Sequence, residues 1–83
     1  MYKITKWCKS ITDDGKDKTV CEKPKGLDFK FRLLDDDGII YAYGYSDDCD
    51  SEEAFQPLDR YMPDYGCTEI QYKNSTTGEW ETL

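Results

Sequence analysis

The stretch Phe29–Tyr45, FKFRLLDDDGIIYAYGY, constrains the fold more than any other. Two runs of β-forming residues flank Asp35-Asp36-Asp37-Gly38, and Asp-Gly between alternating apolar positions is a strong hairpin signal. Phe29, Phe31 and Leu33 alternate with Lys30, Arg32 and Leu34; on the return, Tyr41, Tyr43 and Tyr45 alternate with Ile40, Ala42 and Gly44. Side chains alternate between the faces of a strand, so the turn decides which of these residues share a side. A two-residue loop, Asp37-Gly38, sets Phe31 opposite Gly44 and leaves the tyrosines with Lys30 and Arg32. A three-residue loop, Asp36-Asp37-Gly38 with a left-handed Gly38, sets Phe31 opposite Tyr43 instead. The second register is the expected one. It gathers Phe29, Phe31, Leu33, Tyr41, Tyr43 and Tyr45 into one face, and a chain of 83 residues needs that burial.

The remaining elements are read around this hairpin, within a single domain over residues 1–83. Residues 2–11 mix helical spacing with strand-favouring Tyr, Ile, Thr, Trp and Cys; the Asp13-Asp14-Gly15 turn and the run Thr19-Val20-Cys21 favour a first hairpin. A hairpin turning over Asp13–Lys16 places Cys8 opposite Cys21. Ser51 is the expected N-cap of a short turn through Ala54-Phe55, followed by a helix with Pro57 at its first position and Gly66 beyond its end. Phe55, Leu58, Tyr61 and Met62 form its expected apolar stripe. Cys67–Lys73 reads as a strand, and Glu79–Leu83 returns through a three-residue loop that sets Trp80 opposite Asn74. The order is β-β-β-β-α-β-β: an α+β fold, an antiparallel sheet of hairpins with one short α-helical segment on one face.

Composition excludes several functions. With no histidine, no Ser-His-Asp or Cys-His pair exists, and no lone base titrates near neutral pH. No Gly-rich phosphate loop appears, and no carboxylate pair sits in an apolar context, so the chain is not read as an enzyme. The four cysteines lack a CxxC pair, and the acidic run Asp47–Glu52 lacks the glycine and distal glutamate of an EF-hand, so neither a metal nor another cofactor is expected. No run approaches the roughly 18 apolar residues of a membrane span, and the first ten residues carry no signal-type apolar run. The expected location is therefore cytoplasmic, with reduced cysteines.

The net charge of −7 is unevenly distributed. Residues 1–32 carry nine Lys/Arg against five acids, whereas residues 33–83 carry two against thirteen. Such polarity serves partner steering or head-to-tail association. The acids cluster at Asp35, Asp36 and Asp37, at Asp47, Asp48, Asp50, Glu52 and Glu53, and at Asp59. The first two clusters lie at opposite ends of the hairpin, roughly 20–25 Å apart at about 3.3 Å per residue, and carboxylates so spread imitate nucleic-acid phosphates and suit a basic cleft on a nucleic-acid-binding protein. Direct nucleic-acid binding through Lys3, Lys6, Lys9, Lys30 and Arg32 is set against the net negative charge.

The pattern F-K-F-R-L-L-D-D-D-G-I-I-Y-A-Y-G, P-L-D at 57–59, G-C-T-E-I-Q-Y at 66–72 and the late Trp80 resembles short uncharacterised proteins encoded by bacterial phages and other mobile elements. The resemblance covers residues 29–83 and carries over no site residues. It implies a setting, the host cytoplasm, where small acidic proteins inhibit host defence complexes, anti-CRISPR proteins among them. The expected function is thus a small acidic protein-binding protein whose acidic face occupies a basic site on its partner. The alternative is a structural or homo-oligomeric protein associating through an aromatic sheet face, Tyr41, Tyr43 and Tyr45.

Overall fold

The computed structural model describes residues 1–83. Six strands form one antiparallel sheet: β1 (Tyr2–Trp7), β2 (Lys18–Thr19), β3 (Phe29–Leu34), β4 (Ile40–Ser46), β5 (Glu69–Lys73) and β6 (Trp80–Thr82). Their spatial order is β2-β1-β4-β3-β5-β6, so the Phe29–Tyr45 hairpin is its centre. A 3-10 turn, Glu52–Phe55, and helix α1, Gln56–Tyr65, lie between β4 and β5 and cover one face. The α+β architecture and element order agree with those read from the sequence. No helix is long and apolar enough to cross a membrane.

The central register combines features of both expected alternatives. The turn is the three-residue loop: Gly38 is left-handed at φ 80°, and the Asp35 N–H donates to the Ile39 carbonyl at 3.2 Å. A bulge at Tyr41, between the pairs Leu34–Ile40 and Leu33–Ala42, then shifts the register back by one. Phe31 consequently lies opposite Gly44, correcting the expected Phe31–Tyr43 pairing. Tyr41 packs on the core side, and its hydroxyl donates to the Asp35 carboxylate at 3.1 Å. Tyr43 and Tyr45 turn to the opposite face. The six-residue aromatic core face therefore does not form, and Phe29 stays 38% exposed.

The core lies between the sheet and α1. Phe31, Leu33, Ala42, Ile4, Ile70 and Tyr72 from the sheet meet Ala54 and Cys67. Gly44 is required here, because a Cβ would stand 2.5 Å from both the Phe31 ring and the Lys3 carbonyl oxygen. The helical stripe also departs from expectation: Phe55 and Met62 are exposed, while Ala54 and Pro57 are buried and Leu58 and Tyr61 pack on the core. These positions recur at helical spacing, but Pro57 fills one of them. The N-cap is as expected, with the Ser51 hydroxyl accepting from the Glu53 N–H at 3.3 Å. Gly66, left-handed at φ 80°, closes α1 by donating to the Met62 carbonyl at 2.9 Å.

Two further expectations are corrected. β1 ends at Trp7 and pairs Lys6 with Thr19, so Cys21 lies beside Ile4, donating weakly to its carbonyl, and not opposite Cys8. All four cysteines are free thiols. The β5–β6 loop runs over residues 75–78, because the Asn74 side chain caps it by accepting from the Thr76 and Thr77 N–H groups. Trp80 therefore pairs with Lys73, not Asn74.

Candidate functional site

The expected acidic residues fall into separate groups along the fold. Asp35, Asp36 and Asp37 lie in the β3–β4 turn, whereas Asp47 follows the far end of β4. Several are engaged in holding the fold. Asp35 accepts from the Asp37 and Ile39 N–H groups and from Tyr41, contacts that hold its carboxyl below the usual range against the opposing effect of desolvation. Asp36 accepts from the Thr68 hydroxyl at 2.7 Å, and Asp47 from the Met1 amine at 2.9 Å. Asp48 caps the next turn, accepting from the Ser51 hydroxyl and the Asp50 N–H; these bonds lower its carboxyl to about 2. Asp37, Asp50, Glu52, Glu53 and Asp59 remain exposed, the last three on the helical layer.

The opposite face of the sheet has a different chemistry. No helix covers it, but the β2–β3 segment borders it through Cys21 and Lys23, and Tyr43, Tyr45 and Trp80 are half-buried. Paired residues of antiparallel strands share a face, so the registers generate rows that can be read across the sheet. One row runs Lys3, Tyr45 and Lys30 across β1, β4 and β3, and the pair Lys73–Trp80 adjoins it on β5 and β6. The next row runs Lys6, Tyr43, Arg32, Gln71 and Thr82. Each tyrosine thus stands between two cations. A bulge at Thr5 makes the second row possible. It places Lys6 beside Tyr43 and returns Trp7 to the covered face, against Tyr61 and Tyr65.

The rings and cations interlock. The Lys30 and Lys6 ammonium groups sit 5.4 and 5.9 Å from the Tyr43 ring centroid, and the Arg32 guanidinium sits 4.4 Å from that of Trp80. Tyr43 and Trp80 approach to 6.0 Å. Arg32 is fixed further by donating to the Gln71 side-chain oxygen at 2.7 Å, while the Gln71 amide donates to Glu69 at 2.7 Å. A shallow depression of about 510 Å³ opens among Lys6, Lys23, Lys30, Lys73, Tyr43, Tyr45 and Trp80. Lys6 pairs with Asp17 at 3.2 Å and Lys23 with Asp28 at 2.9 Å. Lys3, Lys30, Arg32 and Lys73 have no carboxylate within 4.0 Å.

No group of three or more Cys, Asp or Glu residues is placed to hold a metal ion. Burial raises the thiols of Cys8, Cys49 and Cys67, which opposes formation of a nucleophilic thiolate. Sequence reading places Lys3, Lys6, Lys9, Lys30 and Arg32 on strands and does not join them to Lys73 and Trp80; Lys9 instead lies past the end of β1. The available signal was the parity of Lys30 and Arg32 with the tyrosines in the two-residue register. No protein-family model matches the chain, and no curated protein or solved structure matches it significantly.

Proposed function

We propose that this chain is a small binding protein, without catalytic activity, that recognises an anionic partner through the open face of its sheet. One observation carries the reading: two half-buried tyrosines, each flanked by cations, share a face that no helix covers and on which Lys3, Lys30, Arg32 and Lys73 lack carboxylate partners. Aromatic rings interleaved with cations offer both charge and a flat contact surface. Net charge does not oppose this locally. The molecule measures 24 Å across its shortest axis, while exposed charges are screened over about 8 Å at physiological salt. Retention on immobilised heparin tests the proposal. The protein is expected to bind the column despite its net charge of −7, and the triple variant Lys30→Ala, Arg32→Ala, Lys73→Ala to flow through. Flow-through of the unaltered protein at 50 mM salt contradicts it.

A second reading retains the acidic surface of a phage-type inhibitor directed at a basic nucleic-acid-handling partner. Its support is the helical layer, where Glu52, Glu53, Asp59 and Asp64 are exposed and the nearby Arg60 is already paired with Asp64 at 3.1 Å. Its test reverses Asp50, Glu52, Glu53 and Asp59 to Lys and leaves the capping Asp48 intact. Partner capture from host lysate is lost on this reading and preserved on the first. Self-association through Tyr43 and Tyr45 is the weaker alternative, since face-to-face pairing opposes lysine to lysine.

A further inference from the structure

Resting on the anionic-partner reading above, we infer that the open face takes single-stranded nucleic acid, with bases on Tyr43, Tyr45 and Trp80 and phosphates on the cations between them. The arrangement matches what such a strand requires: a basic surface that follows the backbone, with rings on which successive bases stack regardless of sequence. Tyr43 and Tyr45 are two residues apart on β4, which spaces them by about 6.6 Å. That is roughly twice the ~3.4 Å charge spacing along one strand of a duplex, so it suits a strand whose bases are splayed apart. The depression is shallow and the sheet presents no protruding helix to enter a groove, which disfavours duplex.

The surrounding groups set the limits of the footprint. Lys3, Lys30, Arg32 and Lys73 are the cations available for phosphate, whereas Lys6 and Lys23 are partly neutralised by Asp17 and Asp28 at 3.2 and 2.9 Å. Glu69, held by Gln71 and Thr82, follows the second row and marks an edge that a strand avoids. Arg32 is already seated on Trp80 and bonded to Gln71, so it meets a phosphate with little reordering. Lys30, by contrast, exchanges a ring contact for a phosphate and exposes Tyr43 to a base.

Fluorescence anisotropy with labelled single-stranded oligomers of about eight nucleotides, octathymidylate and octauridylate, tests the inference. Binding is expected, at least tenfold tighter than to a hairpin duplex of the same length. With four phosphates engaged, log affinity falls against log salt with a slope of about −3. Tyr45→Ala and Trp80→Ala each weaken binding about fivefold or more, while Tyr45→Phe, which keeps the ring, stays within about twofold. Thermal unfolding of each variant separates lost binding from lost fold, and Tyr45→Phe serves as the folded control. Absence of oligomer binding, equal affinity for duplex, or indifference to Tyr45→Ala and Trp80→Ala in folded variants overturns the inference. If heparin retention still depends on Lys30, Arg32 and Lys73 in that event, the anionic-partner reading survives alone; if retention is absent as well, both fall.

Discussion

At the residue scale, Gly44 and Tyr72 show how closely the covered face is packed. Gly44 admits the Phe31 ring, which is fully buried, and any Cβ there meets the ring and a backbone oxygen at 2.5 Å. Gly44→Ala is therefore expected to destabilise the fold by about 1–3 kcal/mol, read as a lower urea midpoint with an unchanged slope. Tyr72 is buried, and its hydroxyl donates to the Ala54 carbonyl at 2.8 Å; burial pushes the phenol up to about 12 from an ordinary 10.0. Above pH 10 the unfolded chain loses this proton while the folded chain keeps it, so unfolding is favoured. The Tyr72 contribution is complete below pH 10 and is lost as pH approaches about 12, a change of about 2–3 kcal/mol. Burial of Tyr2 and Tyr41 acts in the same direction. The stability of Tyr72→Phe should accordingly fall less steeply than that of the unaltered protein between pH 10 and 12, measured by denaturant titration.

At the scale of elements, two bulges and one cap decide what each strand presents. The Tyr41 bulge cancels the one-residue shift introduced by the Gly38 turn, and the Thr5 bulge keeps Trp7 on the covered side. Alternation in the sequence is regular through both, so neither could be located by counting. The segment from Asp48 to Glu53 was more legible, because Ser51 followed by two glutamates is a helix-start pattern whose side chains act on adjacent backbone. Asp48 adds to it, and its hydrogen bonds from Ser51 and Asp50 favour the ionised form. The folded pKa lies below the unfolded value of 3.8, so the associated stability is present above about pH 4 and lost as pH falls towards about 2. Asp48→Asn should be less stable than the unaltered protein at pH 7, and the difference should shrink by pH 2 in thermal unfolding scans. A difference that does not narrow would remove Asp48 from the acid response.

At the scale of the molecule, the sequence divides charge between an N-terminal and a C-terminal half, but the fold redistributes it. Lys73, from the acidic half, joins Lys3, Lys6, Lys30 and Arg32 on the open face, while Glu52, Glu53 and Asp59 occupy the helical layer. Opposite faces of opposite sign steer a charged partner to one side of the molecule. Raising salt from 50 to 500 mM should release the protein from heparin without changing its unfolding midpoint by more than a few degrees, because exposed pairs such as Lys23–Asp28 contribute little to stability. Sedimentation at several concentrations should give a monomer, since like charges meet across the tyrosine rows.

Local chemistry determined much of what was legible in the sequence alone: the central hairpin, the left-handed Gly38 turn, the Ser51 cap, the Gly66 stop and the α+β order. Each rests on interactions within a few residues of its own position. The faces of the sheet were decided elsewhere. A side chain's side depends on strand parity, and one extra residue at Thr5 or Tyr41 reverses it for everything beyond. The Thr5 bulge forms where β1 pairs with the sequence-distant β4, and the Tyr41 bulge beside the turn that joins β3 to β4, where strand pairing rather than sequence alternation sets the register. Tertiary structure therefore placed Tyr43 and Tyr45 among cations instead of in the core, and brought Lys73 and Trp80 to join them.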